Sequence, residues 1–133
     1  MTDQPTYGFD RALLTEATKK AAIVWLTVGD RPAYPVWCLS VGASLYVVTG
    51  PGEQPAPGLA SASTVRVSAR GDHGGLIVTW TANVARVAPG TDVWSAIAPQ
   101  LASKRLNAPE PADTVVNRWA RECTLLGLDP ADE

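Results

Sequence analysis

The 133-residue sequence predicts a mainly β domain with peripheral helices (α+β), its five or six strands closing into a small, nearly closed barrel. Three observations predict it. Short apolar runs rich in β-branched and aromatic residues recur between Gly- and Pro-containing turns. Helical spacing is confined to residues before 21 and after 90. Hydrophobic residues make up 46% of the chain and charged residues 18%, too apolar for disorder and sufficient for one core. The length suits a single domain over residues 1–133.

Phe9, Leu13 and Ala17 recur every four residues among charged neighbours, which predicts a helix over 9–20 with Asp10 near its cap. Ala21 to Val28 then reads as a strand buried on both faces. Gly29-Asp30-Arg31-Pro32 turns the chain into a second strand, Tyr34 to Val41. Pro35 has no N–H for a ladder, so that strand should start at a sheet edge. Gly42-Ala43-Ser44 leads to a third strand, Leu45 to Thr49. The segment Gly50 to Gly58 is dominated by Gly and Pro and is a loop.

Val65, Val67 and Ala69 alternate with Arg66, Ser68 and Arg70, the pattern of a fourth strand with one buried face. After the turn Gly71 to Gly75, Leu76, Val78, Trp80, Ala82 and Val84 share a face of a long fifth strand. Val87 breaks that parity, and a bulge near Asn83 to Ala85 would restore it. Helices are expected over about 91–122: one capped by Thr91 or Asp92 and interrupted or kinked at Pro99, another capped by Asp113 with Val116, Trp119, Ala120 and Cys123 inward. A terminal strand is expected over about 123–128.

Charge excludes one function class. Eleven Lys and Arg against thirteen Asp and Glu leave no surplus to neutralise a phosphate backbone, so nucleic acid is not an expected partner. The longest uniformly apolar stretch, Ala21 to Leu26, is far too short to cross a membrane, and Met1 to Pro5 does not read as the start of a signal peptide. With two cysteines, Cys38 and Cys123, on apolar faces, the expectation is reduced thiols in a cytoplasmic protein.

The inventory for side-chain catalysis is thin, and no catalytic residue is assigned. The single histidine, His73, sits in a turn where solvent exposure is the ordinary reading. One His and two Cys without ligand spacing do not make a metal site. No nucleophile elbow or P-loop is present. Of five tryptophans, Trp25, Trp80 and Trp119 fit core faces; Trp37 and Trp94 fit either the core, a dimer seam or a planar ligand.

Gly29-Asp30-Arg31-Pro32, Pro35-Val36-Trp37, the turn at Gly42, and Leu45-Tyr46-Val47-Val48-Thr49-Gly50 together resemble the flavin-binding split β-barrel superfamily, which includes pyridoxamine 5′-phosphate oxidase-like proteins and actinobacterial flavin- and deazaflavin-dependent reductases. The likeness covers about residues 9–90, with Glu122 to Pro130 resembling the terminal strand. It implies a six-stranded antiparallel split β-barrel, a homodimer, and FMN or a deazaflavin held at the subunit interface, hence an oxidoreductase-like protein whose cofactor supplies the redox chemistry. The cofactor residues it implies are Thr49 and Gln54 near the phosphate, Trp37 near the ring, and Gly58 where the family's Asn stands.

The sequence departs from the family pattern where the phosphate would be held. Gln54-Pro55-Ala56-Pro57-Gly58-Leu59 keeps the Leu but places Pro55 and Pro57 where a basic pair is expected. Two lost charge-assisted contacts, at roughly 1.5–3 kcal/mol each, weaken binding on the order of a hundredfold to ten-thousandfold. Arg66 and Arg70 point outward on the next strand, ordinarily as a solvated face and alternatively as substitutes. A second expectation follows: a divergent dimeric barrel that has lost the flavin phosphate site and binds another small ligand or has no redox role.

Overall fold

The computed structural model describes residues 23–70, 77–105 and 110–131. The helix expected over 9–20 and the turn carrying His73 lie outside the described residues. Seven strands form one antiparallel sheet: β1 (Ile23–Thr27), β2 (Tyr34–Trp37), β3 (Leu39–Val41), β4 (Ser44–Thr49), β5 (Thr64–Arg70), β6 (Ile77–Val87) and β7 (Thr124–Pro130). Two helices, α1 (Asp92–Lys104) and α2 (Ala112–Glu122), connect β6 to β7. The spatial order is β2-β1-β5-β6-β7-β4-β3.

Seven strands replace the six expected because the run Tyr34 to Val41 breaks at Cys38. Its first half pairs with β1, Val24 opposite Val36, and its second half pairs with β4, Leu39 opposite Tyr46. The two ends of the sheet order are therefore adjacent in the chain, and one continuous segment nearly closes the barrel. Pro35 lies on the edge strand β2, as its missing N–H requires.

Inside the barrel, Val24, Leu26, Leu45, Val47, Val67 and Leu126 are fully or almost fully buried. Val65, Val67 and Ala69 alternate inward as expected. After the Pro-rich loop, one turn of 3₁₀ helix at Leu59–Ser61 inserts Leu59, completely buried, into this core. A second core lies on the outer side of the sheet, where Val48, Val87 and Leu125 meet Trp94, Ile97, Leu101, Val115 and Trp119 of the two helices.

This second core replaces the expected bulge in β6. Pairing runs without interruption from Arg70↔Ile77 to Thr64↔Asn83 on one side and from Ala82↔Pro130 to Val87↔Leu125 on the other. Trp80 and Ala82 face the barrel interior and Val87 faces the helices, so parity changes because the burying partner changes sides.

The remaining corrections have similar origins. β1 is buried on one face only: Val24 and Leu26 point inward, whereas Ile23 is 51% and Trp25 44% exposed. Among the described residues, no element covers that outer face, whose next row is Pro35, Trp25, Ser68 and Thr79. Helix α1 runs through Pro99 as one helix; Trp94, Ile97, Ala98, Leu101 and Ala102 bury its inner face, and the Thr91 hydroxyl caps it by accepting from the Trp94 N–H at 3.2 Å. Trp94 is thus a core residue, like Trp80 and Trp119. Helix α2 starts one residue before Asp113, whose carboxylate accepts from the Thr114 N–H instead of capping, and its deepest residues are Val115 and Trp119. No helix among the described residues is long and apolar enough to cross a membrane.

Leu126 lies in the barrel wall between β6 and β4 and is 1% exposed. Leu126→Ala is expected to destabilise the fold by about 2–5 kcal/mol through lost burial and a residual cavity. In urea unfolding the midpoint should fall with little change in slope; a loss below about 1 kcal/mol would mean that the barrel core is loosely packed.

Candidate functional site

The break at Cys38 has a local consequence. The Gln54 side chain satisfies the main chain of Trp37 at that break: Gln54 Oε1 accepts from the Trp37 N–H at 2.8 Å and Nε2 donates to the Trp37 carbonyl at 3.0 Å. Nε2 also reaches the Val48 carbonyl at 3.4 Å. Thr49 Oγ1 donates to the Gln54 carbonyl at 2.8 Å, fixing the loop that presents the amide. On the other side of the break, Lys104 Nζ at the end of α1 donates to the Cys38 carbonyl at 2.7 Å.

The loop after β4 is pinned to the helices by a buried carboxylate. The Glu53 side chain is 1% exposed. Its Oε1 accepts from Arg105 Nε and its Oε2 from Arg118 Nη2, each at 2.9 Å. Arg105 Nη2 donates to the Gly52 carbonyl at 3.2 Å, and Arg118 Nη1 to the Pro51 carbonyl at 3.1 Å. Burial pushes the Glu53 carboxyl up, but Trp119, Arg118 and Arg105 outweigh it and hold it below the ordinary value of 4.5. The same ion pair raises Arg118. Gly50 permits the close approach of loop and helix end: at φ +141° it lies where a Cβ would come within 2.9 Å of the Cys123 Cα.

These elements enclose a cavity of about 290 Å³ lined by Ile23, Trp37, Gly52, Glu53, Gln54, Lys104 and Arg105. Its size is at the lower limit for a small-molecule site. Arg105 Nη1 is buried and has no hydrogen-bond partner, a state that costs about 1–3 kcal/mol unless an acceptor is supplied. Ile23 belongs to the same outer face as Trp25, so the cavity adjoins the uncovered apolar side of the sheet.

Three of the four residues selected from sequence come together: Trp37 and Gln54 line the cavity, and Thr49 holds Gln54 from behind. Gly58 does not line it. With φ +79°, it lies under the Arg31 guanidinium, where a Cβ would be 3.1 Å from Arg31 Cζ, and nearby Tyr34 donates from its hydroxyl to the Pro57 carbonyl at 3.0 Å. Arg66 is exposed on β5 and does not line the cavity. Sequence reasoning passed over Glu53, Lys104, Arg105 and Arg118. A basic pair ending a helix reads as an ordinary complement to the helix dipole, and an acidic residue in a Pro-Gly loop reads as solvated.

Chemically, the site offers binding groups. Burial pushes the Cys38 thiol up to about 11, with Lys104 partly opposing, so it is not a nucleophile near neutrality. The Cys123 thiol is also raised by burial. Among the described residues, no group of three or more His, Cys, Asp or Glu could hold a metal ion.

Glu53 also ties stability to pH. Because its folded pKa lies below the unfolded value, its ion pairs contribute in full above about pH 4.5 and are lost as pH falls through the folded value. The urea midpoint of the native protein should therefore drop steeply below pH 4.5, and Glu53→Gln should flatten that drop while lowering stability at pH 7. Parallel pH profiles would show that Glu53 is not held as an ion pair.

No protein-family model matches the chain, and no curated protein matches it. Solved structures do. HutZ, a heme storage protein from Vibrio cholerae, superposes with a TM-score of 0.60 at 13% identity, over 100% of this chain and 93% of its own. A candidate pyridoxamine 5′-phosphate oxidase from Listeria innocua gives 0.62 at 11% identity, over 92% and 94%. An FAD-binding protein from Mesorhizobium loti gives 0.56 at 16% identity, over 90% and 88%. The chain has the split-barrel fold of pyridoxamine 5′-phosphate oxidase-like proteins.

Proposed function

We propose that this split barrel binds a flavin or deazaflavin ring in the cavity beside Trp37, at an interface between two copies of the chain, as an oxidoreductase-like protein. The observation that carries the reading is the cavity itself. It combines an aromatic residue at Trp37, an apolar residue at Ile23 and the polar side chains of Gln54, Lys104 and Arg105. These groups fit a planar, polar-edged ring. The loop does not supply the basic pair that a terminal phosphate needs, because Thr49 and Gln54 bond to each other and to the strand break.

When bound, the flavin would supply the hydride or electron transfer. The chain's own residues bind and orient. Trp37 supplies an aromatic wall; Gln54, steadied by Thr49, fixes the Trp37 main chain; Lys104 supplies a cation for a ring-edge or side-chain acceptor. Gly58 gives the loop its left-handed turn at a distance from the cavity.

The dimer reading rests on the outer face of β1 and β6. Ile23, Trp25 and Ile77 are 51%, 44% and 59% exposed. Trp25 and Ile77, with Ala33, Ser68 and Ala69, line a further hollow of about 310 Å³. A second copy seated there would cover this apolar surface and close the cavity on its Ile23 side. The buried thiols Cys38 and Cys123 suit a reducing compartment, in keeping with a cytoplasmic location.

The alternative is a barrel that binds another small ligand or has no redox role. Its supporting observation is that Thr49 and Gln54 are already committed to internal bonds. Titration of riboflavin and FMN against the purified protein, followed by quenching of flavin and tryptophan fluorescence, separates the two. Saturable binding, weakened about tenfold by Trp37→Leu (a loss of roughly 1.4 kcal/mol), supports the flavin site. Absence of saturable binding supports the alternative. Sedimentation should give a dimer that Trp25→Arg dissociates; a monomeric native protein removes the interface site.

A further inference from the structure

Resting on the flavin reading of the Trp37 cavity, we infer that Glu53 sets the charge of the ligand that this cavity accepts. The site takes a flavin whose anchored end is uncharged or carries one negative charge, and it disfavours a terminal phosphate dianion. Three independent features converge on this.

The first is the charge lining the cavity. Glu53, Lys104 and Arg105 all face it. The Glu53 carboxylate is fixed 2.9 Å from Arg105 Nε, and its low pKa keeps it ionised at neutral pH. It cancels much of the field that Arg105 would present to an anion. Arg118 holds the other carboxylate oxygen, but its second contact is the Pro51 carbonyl, and its Nε lies 3.9 Å from Glu110. Lys104 is the remaining cation, and its ammonium is bonded to the Cys38 carbonyl.

The second feature is the direction of α1. Lys104 is its last residue, so the cavity lies at the C-terminal, negative end of the helix, where an anion is repelled. The third is the loop backbone. Pro51, Pro55 and Pro57 have no N–H, and the Glu53 N–H donates to the Gly50 carbonyl at 2.9 Å. With these donors removed, the loop offers a phosphate fewer backbone N–H groups than an uninterrupted nest. Among the described side chains lining the cavity, the cation left to a ligand is Lys104, already bonded once to the Cys38 carbonyl. One such donor suits a hydroxyl, a carbonyl, a carboxylate or a phosphodiester oxygen better than a dianionic phosphate, which needs several.

The experiment compares riboflavin, which has no phosphate, with FMN, whose phosphate is mostly dianionic above about pH 6. Dissociation constants would be measured by flavin fluorescence on the native protein at pH 7.5 and pH 5.5, and on Glu53→Gln. The native protein should bind riboflavin about tenfold more tightly than FMN at pH 7.5, with the gap narrowing at pH 5.5. Glu53→Gln should raise the affinity for FMN about tenfold relative to that for riboflavin. A native protein that prefers FMN by tenfold or more overturns the inference, with no variant required. So does a variant that shifts both ligands equally. If neither ligand saturates the native protein, the flavin reading of the cavity fails, and this inference fails with it.

Discussion

The structure depends on one discontinuity, the break in pairing at Cys38. Val36 and Trp37 belong to one edge of the sheet and Leu39 and Ser40 to the other, so a single peptide segment spans the gap that would leave two open edges. Unpaired edges invite aggregation, and the shortness of the two edge strands β2 and β3 limits it. A break in a ladder also strands main-chain donors and acceptors that must be satisfied. Here long polar side chains do so: Gln54 serves Trp37, and Lys104 serves the carbonyl of Cys38. Those side chains bring the Pro-rich loop and the end of α1 to one place. The candidate site is thus a by-product of how the barrel closes.

The fold was legible wherever one face of a strand meets one kind of environment. Val65, Val67 and Ala69 alternate against Arg66 and Ser68 because β5 is barrel on one side and solvent on the other. Legibility failed where the environment changes along a strand. β6 passes from barrel interior to helix interface between Ala82 and Val87, and no local pattern distinguishes that from a bulge. Trp25 differs for a related reason: its strand reads as buried on both faces, whereas among the described residues no element covers its outer face. Pro99 shows packing overriding propensity, since five buried residues of α1 hold the helix through the lost hydrogen bond.

The site was legible in part. The family resemblance brought Trp37, Thr49 and Gln54 forward, and they form one hydrogen-bonded cluster. Their duties inside that cluster are structural as well as ligand-facing, which residue identity does not reveal. The charged residues Glu53, Lys104, Arg105 and Arg118 were invisible because their meaning lies in distances across the fold. Glu53 and Arg118 are far apart in sequence and 2.9 Å apart in space. Only the folded chain shows that the loop's own carboxylate occupies the cations that an incoming anion would otherwise meet.

Closure through Cys38 also has a consequence in time. β4 pairs with β7, the last of the described strands, while β3 and β2 are adjacent earlier segments. The β4–β7 ladder therefore requires a loop containing β5, β6 and both helices to close first, an entropic search that local hairpins such as β5–β6 avoid. A chain emerging from synthesis keeps the β4 edge, with Leu45, Val47 and Val48, unpaired on its β7 side until β7 itself has been made.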